Sequence, residues 1–427
     1  MTTTFFEDLE ARGLIHGASE GARELFASGG RIVGYIGFDP TADSLHVGSL
    51  LQIIALMRLQ RAGHRPIALV GGGTGMIGDP SGKSSERQLL TRERVEENVA
   101  GIRAQLERFL DFSGASGALL VDNHDWLGSL RLIDFLRDTG KHFTVNYMLA
   151  KESVSRRMEQ AEGISYTEFS YMLLQAHDFL ELYDRHGCVL QLGGSDQWGN
   201  ITAGIELIRR VRGAAVHGIV QPLITTASGA KFGKTEAGTV WLDAERTSPF
   251  RFYQFWLNAD DRDVEHWLKA FTFLTLDEIA EIMAAQQANP AARVAQRRLA
   301  EEVTRLVHGA DGLARAERAT AVLFGSRPAQ DLPASELLEV FADVPSTDLA
   351  KDRLAGEGMS IVELLAESGV ASSRGDARRL IAGGGVYLNG ERVTDVDRRV
   401  TLADAIEGAV VLLRKGRKEN RLVRLVG

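Results

Sequence analysis

The chain has 427 residues, with 49 lysines and arginines against 57 aspartates and glutamates and a formal net charge of −8 at pH 7. This length allows two or three domains with a large core, and the charge argues against a protein that binds nucleic acid over its whole surface, although a local basic patch is compatible with it. The single cysteine, Cys188, excludes an intrachain disulfide and a cysteine metal cluster, and no apolar run approaches the roughly 20 residues of a membrane span, so we expect a cytoplasmic protein with no membrane partner.

Residues 1–240 have the pattern of an open parallel α/β sheet. A helix with an apolar face follows the first predicted strand, and Asp43 or Ser44 is in position to cap it. A mostly helical insertion at about 126–185 separates the third and fourth strands. We therefore predict a Rossmann-like domain, whose ligands gather beyond the carboxyl ends of the strands. The predicted strands are 31–38, 66–72, 118–122, 188–194 and 218–225.

The pattern then turns helical and predicts an α-helical domain over 241–325. Within it, TLDE at 275–278 is typical of a capping box at a helix start. A weakly patterned stretch with three prolines predicts a linker over 326–357. A small α+β domain is predicted over 358–427.

Two glycine-rich motifs are near misses for nucleotide-binding loops. GTGMIG at 73–78 follows a strand as in dinucleotide folds, but Pro80 and Gly82 oppose the helix that must come next, so a nicotinamide or flavin site is not favoured. In SGAKFGKTE at 228–236 only three residues separate the two glycines that enclose the first lysine, whereas a P-loop needs four. GDPSGKS at 78–84 fails in the same way. The sequence therefore predicts no P-loop ATPase.

A group of polar residues instead predicts an anion site at the strand ends. Thr41 and His46 lie at or before the start of the first long helix, whose free amide groups and positive dipole end favour an anion. Gly48 leaves room for a flat ligand. Lys231 and Lys234 could close over the same anion as a clamp. A surface histidine and solvated lysines are the simpler interpretation of each residue alone; their combination on one predicted face favours the anion site.

Five blocks of sequence together resemble the bacterial tyrosyl-tRNA synthetases, a family of class I aminoacyl-tRNA synthetases. The first two are similar to the two signatures of the class, and the others to the amino-acid and adenylate pocket. The resemblance implies that tyrosine and ATP, with Mg²⁺, give tyrosyl-adenylate and pyrophosphate, and that tyrosine then passes to the terminal adenosine of tRNA(Tyr). It implies no covalent enzyme intermediate, no tightly bound cofactor and no resident metal. The blocks are YIGFDPTADSLHVGS, KFGKT, GDPSGKSSER, YMLLQAHDFL and QLGGSDQWGNI.

The same resemblance assigns residues to the ATP site. Lys231, Lys234 and Thr235 would lie in a mobile loop that grips the departing pyrophosphate, and Thr41 and His46 would meet the same phosphates from the helix. Further contacts to ATP are implied for Asp39, Gly48 and Asp196. The first signature ends in Ser49, where many relatives have histidine, so we expect activity to survive with altered contacts near the ATP ribose.

The resemblance also assigns a tyrosine pocket. Tyr35 and Asp178 would read the phenol hydroxyl, since a buried carboxylate is left unpaired by phenylalanine. The alternatives are a polar helix edge for the pair spaced by four residues, Tyr171 and Gln175, and a surface carboxylate for Asp178. The residues implied around the substrate's ammonium and carboxyl groups are Asp79, Tyr171, Gln175 and Gln197.

The C-terminal stretch SRGDARRLIAGGGVYLNGE (373–391) resembles an S4-type RNA-binding fold. Its arginines are spaced so that they form one cluster on a helix. The resemblance further implies a homodimer, with one tRNA that bridges both subunits through the helical insertion. The candidate RNA contacts are Arg374, Arg378, Arg379, Lys415, Arg417 and Lys418, with Arg209, Arg210 and the weaker candidate Lys151 for the acceptor stem.

Two rival interpretations remain. The related tryptophanyl enzymes share the fold and signatures, but Tyr35 with Asp178 favours a phenol over an indole. The other rival is an RNA-binding protein that has lost catalysis. Ser49 alone supports it, and the intact lysines, Thr41 and His46 oppose it.

Overall fold

The computed structural model divides into two compact units. One comprises Met1–Thr247 and Trp256–Leu299, and the other Ser248–Phe255 and Ala300–Gly427. For Lys234 and Thr235 the backbone alone is described. The described residues are 3–81, 89–160, 163–227, 232–235, 238–342, 344–416 and 419–427.

The strands form two larger sheets and two short antiparallel pairs. The strands are β1 (Gly17–Ala18), β2 (Val33–Phe38), β3 (Arg65–Val70), β4 (Leu119–Asp122), β5 (Leu190–Gly194), β6 (His217–Gln221), β7 (Lys234–Thr235), β8 (Gly238–Thr239), β9 (Ser346–Ala350), β10 (Met359–Ser360), β11 (Val386–Leu388), β12 (Glu391–Arg392), β13 (Arg399–Val400), β14 (Val410–Lys415) and β15 (Glu419–Val426).

Helices cover most of the remaining described chain. They are α1 (Phe5–Ala11), α2 (Ala22–Ala27), α3 (Val47–Arg61), α4 (Arg92–Leu106), α5 (His124–Leu127), α6 (Leu132–Asp138), α7 (Val145–Leu149), α8 (Glu152–Met158), α9 (Tyr166–His186), α10 (Trp198–Arg212), α11 (Pro249–Leu257), α12 (Val264–Phe271), α13 (Leu276–Ala288), α14 (Val294–Leu323, interrupted at Gly309), α15 (Ala334–Val340), α16 (Ile361–Glu367) and α17 (Arg374–Ala382). Short 3-10 turns lie at Thr74–Met76, Gly140–His142, Ser195–Gln197, Pro290–Ala292, Ala329–Asp331, Lys351–Leu354 and Leu402–Asp404.

The first unit is built on a six-stranded sheet in the order β1-β6-β5-β2-β3-β4. Strands β2 to β6 are parallel, and β1 is an antiparallel edge. In β3 every residue after Arg65 is buried, as expected for a parallel strand that is covered on both faces. The strand order reverses between β2 and β5, and this is where parallel α/β sheets form a ligand crevice. The predicted Rossmann-like fold is confirmed.

The second unit contains a five-stranded sheet in the order β12-β11-β14-β15-β9. Only β9 and β15 pair in parallel. Helices α16 and α17 pack on one core of this unit, and α15 contributes to another, so the unit is of the α+β class. This confirms the predicted class of the C-terminal region.

The helical region predicted over 241–325 does not form a domain of its own. Its part from Trp256 to Leu299 belongs to the first unit, where Trp256, Trp267 and Phe271 pack around the ring of Phe232. Such aromatic contacts join segments far apart in sequence, and helical periodicity alone does not reveal them. The capping box at Thr275 is present as predicted.

The segment 326–357, predicted as a linker, contains α15 and β9. Leu337 and Phe341 are fully buried in a core cluster, so this stretch is part of the second unit. Pro333 is the N-cap residue of α15 and therefore marks a helix start. The C-terminal sheet accordingly begins before residue 358. The polar sequence of β9 hides it, because only Leu349 of this edge strand is buried.

Candidate active site

A cavity of about 640 Å³ opens at the carboxyl ends of β2 and β5. It brings together residues from strand ends, from the start of α3 and from α9, as the sequence predicted for the whole group. Among the predicted residues whose side chains are described, Thr41 is the exception, because it is exposed and does not line the cavity. The sequence-predicted residues that line it are Tyr35, Asp39, His46, Gly48, Asp79, Tyr171, Gln175, Asp178, Asp196 and Gln197.

Asp178 is held at one end of the cavity by two side-chain donors. Trp126 Nε1 donates to Asp178 Oδ1 at 2.7 Å, and Asn123 Nδ2 donates to Asp178 Oδ2 at 2.9 Å. Asp178 is only 2% exposed, which excludes the alternative of a surface carboxylate. Each carboxylate oxygen keeps a second lone pair with which it can accept a further hydrogen bond.

Tyr35 lies close enough to Asp178 for a charge on Asp178 to affect the pKa of the Tyr35 phenol. Burial raises the pKa of Tyr35 well above its ordinary value, and Asp178 raises it further. Burial also raises the pKa of Asp178 to about 8, although the bonds from Asn123 and Trp126 oppose this shift. The Tyr35 hydroxyl is buried and has no hydrogen-bond partner among the described residues. This end of the cavity therefore offers an unsatisfied hydroxyl beside a buried carboxyl group.

A chain of hydrogen bonds joins Asp178 to the other side of the cavity. Asn123 Nδ2 also donates to Thr74 Oγ1 at 2.9 Å, and Thr74 Oγ1 donates to Asp39 Oδ1 at 2.8 Å. Tyr171 Oη donates to the second oxygen of Asp39 at 2.9 Å. Burial and Asp39 together raise the pKa of Tyr171, so its phenol stays protonated as a donor. Five side chains from four segments are thus fixed relative to one another.

A second network surrounds Asp79. Gln197 Nε2 donates to Asp79 Oδ2 at 2.7 Å, and Gln175 Nε2 donates to Gln197 Oε1 at 3.3 Å. Buried Asn200 bridges them, since its Nδ2 lies 3.1 Å from Gln175 Oε1 and 3.5 Å from Asp79 Oδ1. The resulting face presents a carboxylate and carbonyl oxygens, which suit a cationic donor.

The start of α3 differs from the expectation. His46 is the N-cap, and its Nδ1 accepts a hydrogen bond from the N–H of Gly48 at 3.0 Å. The expected caps, Asp43 and Ser44, hold other partners, an arginine and a glutamine. At Gly48 a Cβ atom would lie 2.7 Å from His46 Cε1, so glycine is needed for the imidazole to fold back over the helix start.

The amide groups at this helix start are not free, contrary to the sequence argument. The N–H of Val47 donates to the carbonyl of Val240 at 3.0 Å, and that of Ser49 to the carbonyl of His46 at 2.8 Å. The N–H of Gly48 is taken by His46. Because His46 Nδ1 accepts, the neutral ring carries its proton on Nε2. An anion here would meet this donor and the helix dipole.

The predicted lysine loop approaches α3 through its described backbone. Gly233, in the left-handed region with φ of 77°, lies against Val47, and its carbonyl accepts from the N–H of Val240 at 3.0 Å. Phe232 lines the cavity. Lys231 lies outside the described residues, as do the side chains of Lys234 and Thr235.

Among the described residues, the predicted RNA contacts on α10 and α17 are exposed arginines, whereas Lys151 and Lys415 are partly buried. Most of these basic side chains have acidic neighbours. Arg209 and Arg210 share Glu206, and these bonds lower the pKa of that carboxyl to about 2. Lys151 donates to the hydroxyl of Thr202 at 2.9 Å.

On α17 the three arginines are differently paired. Arg374 pairs with Glu363 at 3.2 Å and Arg379 lies 3.7 Å from Asp376, while Arg378 has no ion-pair partner in the part of the chain that the structure describes. Lys415 lies 3.8 Å from Glu419. Arg417 and Lys418 lie outside the described residues.

Several residues that build the site were missed from sequence. Asn123 directly follows β4, so the rule that ligand residues follow strand ends could have found it. Trp126 and Thr74 carry no comparable signal, because their roles depend on partners more than 20 residues away. Asn200 lies within the block QLGGSDQWGNI, but its partners Gln175 and Asp79 come from other segments. Gln52, on α3, also lines the cavity and was not singled out.

Two further findings bear on the class of protein. Across the described residues, no group of three or more histidine, cysteine or acidic side chains is arranged to hold a metal ion. In the same part of the chain, every helix is too short or too polar to cross a membrane.

Comparison with known proteins agrees with this geometry. A family model described as "tRNA synthetases class I (W and Y)" matches residues 27–325. A second, described as the tyrosine–tRNA ligase SYY-like C-terminal domain, matches residues 336–423. The solved structure of a C-terminally truncated mitochondrial tyrosyl-tRNA synthetase from Aspergillus nidulans superposes with a TM-score of 0.69 at 33% identity. It covers 75% of this chain and 94% of its own.

Relatives that match over nearly the full length of this chain are named tyrosine–tRNA ligases. A tyrosine–tRNA ligase from Roseiflexus castenholzii is 56% identical over 425 residues, which are 99% of this chain and all of that protein. One from Anaeromyxobacter dehalogenans is 54% identical over 422 residues, 98% of this chain and 99% of its own. The chain belongs to the tyrosine–tRNA ligase family of class I aminoacyl-tRNA synthetases.

Proposed function

We propose that the cavity joins L-tyrosine to ATP and that the product, tyrosyl-adenylate, then donates tyrosine to tRNA(Tyr). One observation carries this proposal: the partnerless hydroxyl of Tyr35 lies on the same cavity wall as Asp178, whose carboxylate is held by two donors. A substrate phenol both donates and accepts. It would donate to Asp178 and accept from Tyr35, and so would satisfy both groups at once.

This pairing explains the choice of tyrosine over similar amino acids. Phenylalanine would fill the space but leave the Tyr35 hydroxyl without a partner and the buried carboxyl group of Asp178 without the substrate's hydroxyl. Tryptophan carries its single donor on a different part of its ring. The rival tryptophanyl function is therefore disfavoured by the same two side chains.

The network around Asp79 suits the amino group of the substrate. Asp79, Gln175 and Tyr171 offer oxygen acceptors, and the charge of Asp79 complements an ammonium. With its ammonium and phenol both bound, tyrosine would present its carboxylate near Gln197. Binding at both ends would hold the carboxylate in position for attack.

In the first step a tyrosine carboxylate oxygen would attack the α-phosphorus of ATP. The bond to the bridging oxygen of the β-phosphate would break, and pyrophosphate would leave with Mg²⁺, which enters as part of the ATP substrate. His46 Nε2–H and the positive end of α3 would bind the phosphates, and Lys231, Lys234 and Thr235 would bind the leaving pyrophosphate. Thr41 is retained as a weaker candidate, because its side chain is exposed outside the cavity. The enzyme itself would form no covalent bond.

The RNA partner would be bound by patches of positive charge. Arg378 on α17 is exposed, and Arg374 and Arg379 lie on the same helix with only weakly held acidic neighbours. Arg209, Arg210 and Lys151 would meet the acceptor end. Phosphate contacts of this kind give binding that weakens steeply with salt.

We also propose a homodimer that acts in the cytoplasm. Helix α6 buries none of its residues, and Leu132 and Ile133 are 68% and 71% exposed. Exposed apolar side chains in one short region are typical of a protein contact. The one cysteine, Cys188, is buried, and burial raises the pKa of its thiol to about 12, so it is compatible with a reducing compartment.

The decisive experiment is ATP–pyrophosphate exchange with tyrosine, phenylalanine or tryptophan offered separately. Exchange with tyrosine alone is expected. Exchange with tryptophan would mean that the phenol pocket is wrongly assigned. Folded protein that binds tRNA but exchanges with none of them would support the rival, a binding protein without catalysis.

A further inference from the structure

Arg58, near the end of α3, is a buried arginine that binds the C-terminal end of α12. Its guanidinium donates to the carbonyl of Thr272 and to that of Lys269, which lies 3.3 Å away. A further bond, to Asp8 Oδ2 at 2.9 Å, brings a carboxylate to its charge. Burial lowers the pKa of Arg58 to about 10, so the side chain stays charged at neutral pH. A cation at the last carbonyls of a helix is favourable, and Arg58 therefore holds the end of α12 against α3.

Arg12 holds the same stretch of chain from α1. It donates to the carbonyl of Leu274 at 2.8 Å, and its Nε donates to Asp8 Oδ1 at 2.7 Å. The two arginines thus share one carboxylate, and both bind carbonyls at the end of α12 or just after it. Hydrogen bonds from a charged donor are stronger than those between neutral groups. The end of α12 is therefore attached to two other helices by strong and directional contacts.

Two aromatic side chains of α12 hold Phe232, which belongs to the lysine loop (residues 231–235). Phe271 stacks on Phe232 with ring centroids 5.3 Å apart and ring planes at 12°, and Trp267 meets it at 5.1 Å and 77°. Trp267 and Phe271 are four residues apart and so lie on one face of the helix. Phe232 directly follows Lys231 and comes two residues before Lys234. The position of α12 therefore determines where the centre of the lysine loop lies.

We infer that Arg58 is a positioning residue for the activation step, because it fixes α12 and thereby the seat of Phe232 in the lysine loop. This inference rests on the proposed activation of tyrosine by ATP. Arg58 comes 12 residues after His46, about 18 Å further along the helix at about 1.5 Å per residue, so it does not reach the phosphates itself. Helix α3 would thus align both sides of the phosphate site, with His46 at its start and the lysine loop held by way of Arg58.

The test is tyrosine-dependent pyrophosphate exchange by Arg58→Met, which keeps a long unbranched side chain and removes the guanidinium. The kcat is expected to fall about tenfold, because the loop lysines would be misplaced for the charge that develops on the leaving pyrophosphate. The KM for tyrosine should stay unchanged, since the phenol pocket has no contact with Arg58. Loss of stability alone would not produce this split between kcat and KM in protein that is folded at the assay temperature.

Arg157→Met is the matched control. Arg157 is similarly buried and pairs with Glu168 at 2.9 Å, but it lies in the helical insertion. This variant should lose stability and keep the wild-type kcat. Thermal melts of each variant check folding. If Arg58→Met does not fold, Arg58→Lys serves in its place with the same expectation, because one ammonium group lacks the fork that spans Asp8 and Thr272.

The route through Phe232 is tested with a double-mutant cycle. Phe232→Leu should slow exchange as well, and Arg58→Met combined with Phe232→Leu should be no slower than the slower single variant, because both changes act through one contact. Effects that multiply, a wild-type kcat in the Arg58 variant, a raised KM for tyrosine, or an equal fall of kcat in Arg157→Met would overturn the inference. If wild type itself shows no tyrosine-dependent exchange, the proposed function fails and this inference with it, so the two failures are distinct.

Discussion

At the scale of single residues, the most informative side chains are buried polar groups that the folded protein leaves without a hydrogen-bond partner or whose charged form is disfavoured by burial. Tyr35 and Asp178 are both almost completely buried, yet one lacks a hydrogen-bond partner and the other is an acid in a desolvated site. Neither arrangement stabilises the fold, because a buried polar group without a partner is unfavourable and so is the burial of an ionisable acid. Such groups are typical of sites whose partner is a ligand.

Tyr35→Phe is predicted to lower the preference for tyrosine over phenylalanine without lowering the free energy of unfolding. Removing the partnerless hydroxyl should leave the free energy of unfolding unchanged or raise it by about 1 kcal/mol. The ratio of kcat/KM for tyrosine to that for phenylalanine should fall by about tenfold, because one hydrogen bond to the substrate phenol is lost. Urea unfolding and pyrophosphate exchange measure the two effects.

Tyr171→Phe is the matched control, because the Tyr171 hydroxyl donates to Asp39. This variant should lose about 1 kcal/mol of stability. Equal destabilisation by both substitutions would contradict the assignment of Tyr35 as the unpaired group.

Asp178 is predicted to make stability depend on pH. Its pKa is raised to about 8 by burial, whereas an unfolded aspartate has a pKa of about 3.9. Between these values the folded protein holds the proton and the unfolded chain does not, so the free energy of unfolding falls as pH rises. Between pH 6.5 and 8 the slope from this group should be about −1 kcal/mol per pH unit.

Urea unfolding of Asp178→Asn over this pH range should lack that slope. Asp277→Asn, an exposed carboxyl on α13, should keep the wild-type slope. Histidines whose pKa is lowered by burial, among them His64, His177 and His266, change stability in the opposite sense at lower pH, which is why the range starts at 6.5. Parallel curves for wild type and Asp178→Asn would argue against the raised pKa.

At the scale of elements, the start of α3 combines a structural and a chemical role in one side chain. His46 caps the helix through Nδ1, so the neutral ring carries its proton on Nε2, and the residue lines the cavity. Asparagine is a good N-cap but has no group that reaches where Nε2 lies, whereas alanine can do neither. The two roles can therefore be separated by substitution.

His46→Asn is predicted to keep stability within about 0.5 kcal/mol of wild type, and His46→Ala to lose about 1 kcal/mol. Both should slow pyrophosphate exchange by at least about tenfold, because both remove the donor to the phosphates. Thr275→Ala, which removes a cap from α13 far from the cavity chemistry, should lose stability and keep activity. Full activity in His46→Asn would refute the role of Nε2.

At the scale of the whole molecule, acidic net charge and RNA binding are compatible because charge is distributed unevenly. The arginines of α17 and those in the last turn of α10 are exposed, while the total of −8 limits nonspecific binding. Apolar exposure is uneven as well. In the helical insertion, α6 presents Leu132 and Ile133 to solvent.

If the proposed dimer forms through α6, Ile133→Asp is predicted to convert it into a monomer, since a charge in an apolar interface is left without a partner. Sedimentation velocity on the wild type and the variant measures the change. Phe324→Asp replaces an equally exposed apolar residue, 68% exposed, in the second unit and should leave the dimer intact. A monomeric wild type would contradict the proposed dimer.

The sequence by itself determined the parallel sheet, the position of the cavity at the strand ends and ten of the residues that line it. These follow from local patterns: runs of apolar residues, the polar residues directly after them, and signature blocks such as QLGGSDQWGNI. The tertiary structure alone decided that Asn123 and Trp126 donate hydrogen bonds to Asp178. It also decided that His46 caps α3 and accepts from the N–H of Gly48, which the sequence predicted to be free. It decided as well that the predicted linker is part of a hydrophobic core. Each of these depends on atoms brought together from distant segments or on competition between nearby partners. A hydrogen bond is chosen by distance and direction in the folded chain, which local sequence patterns do not contain.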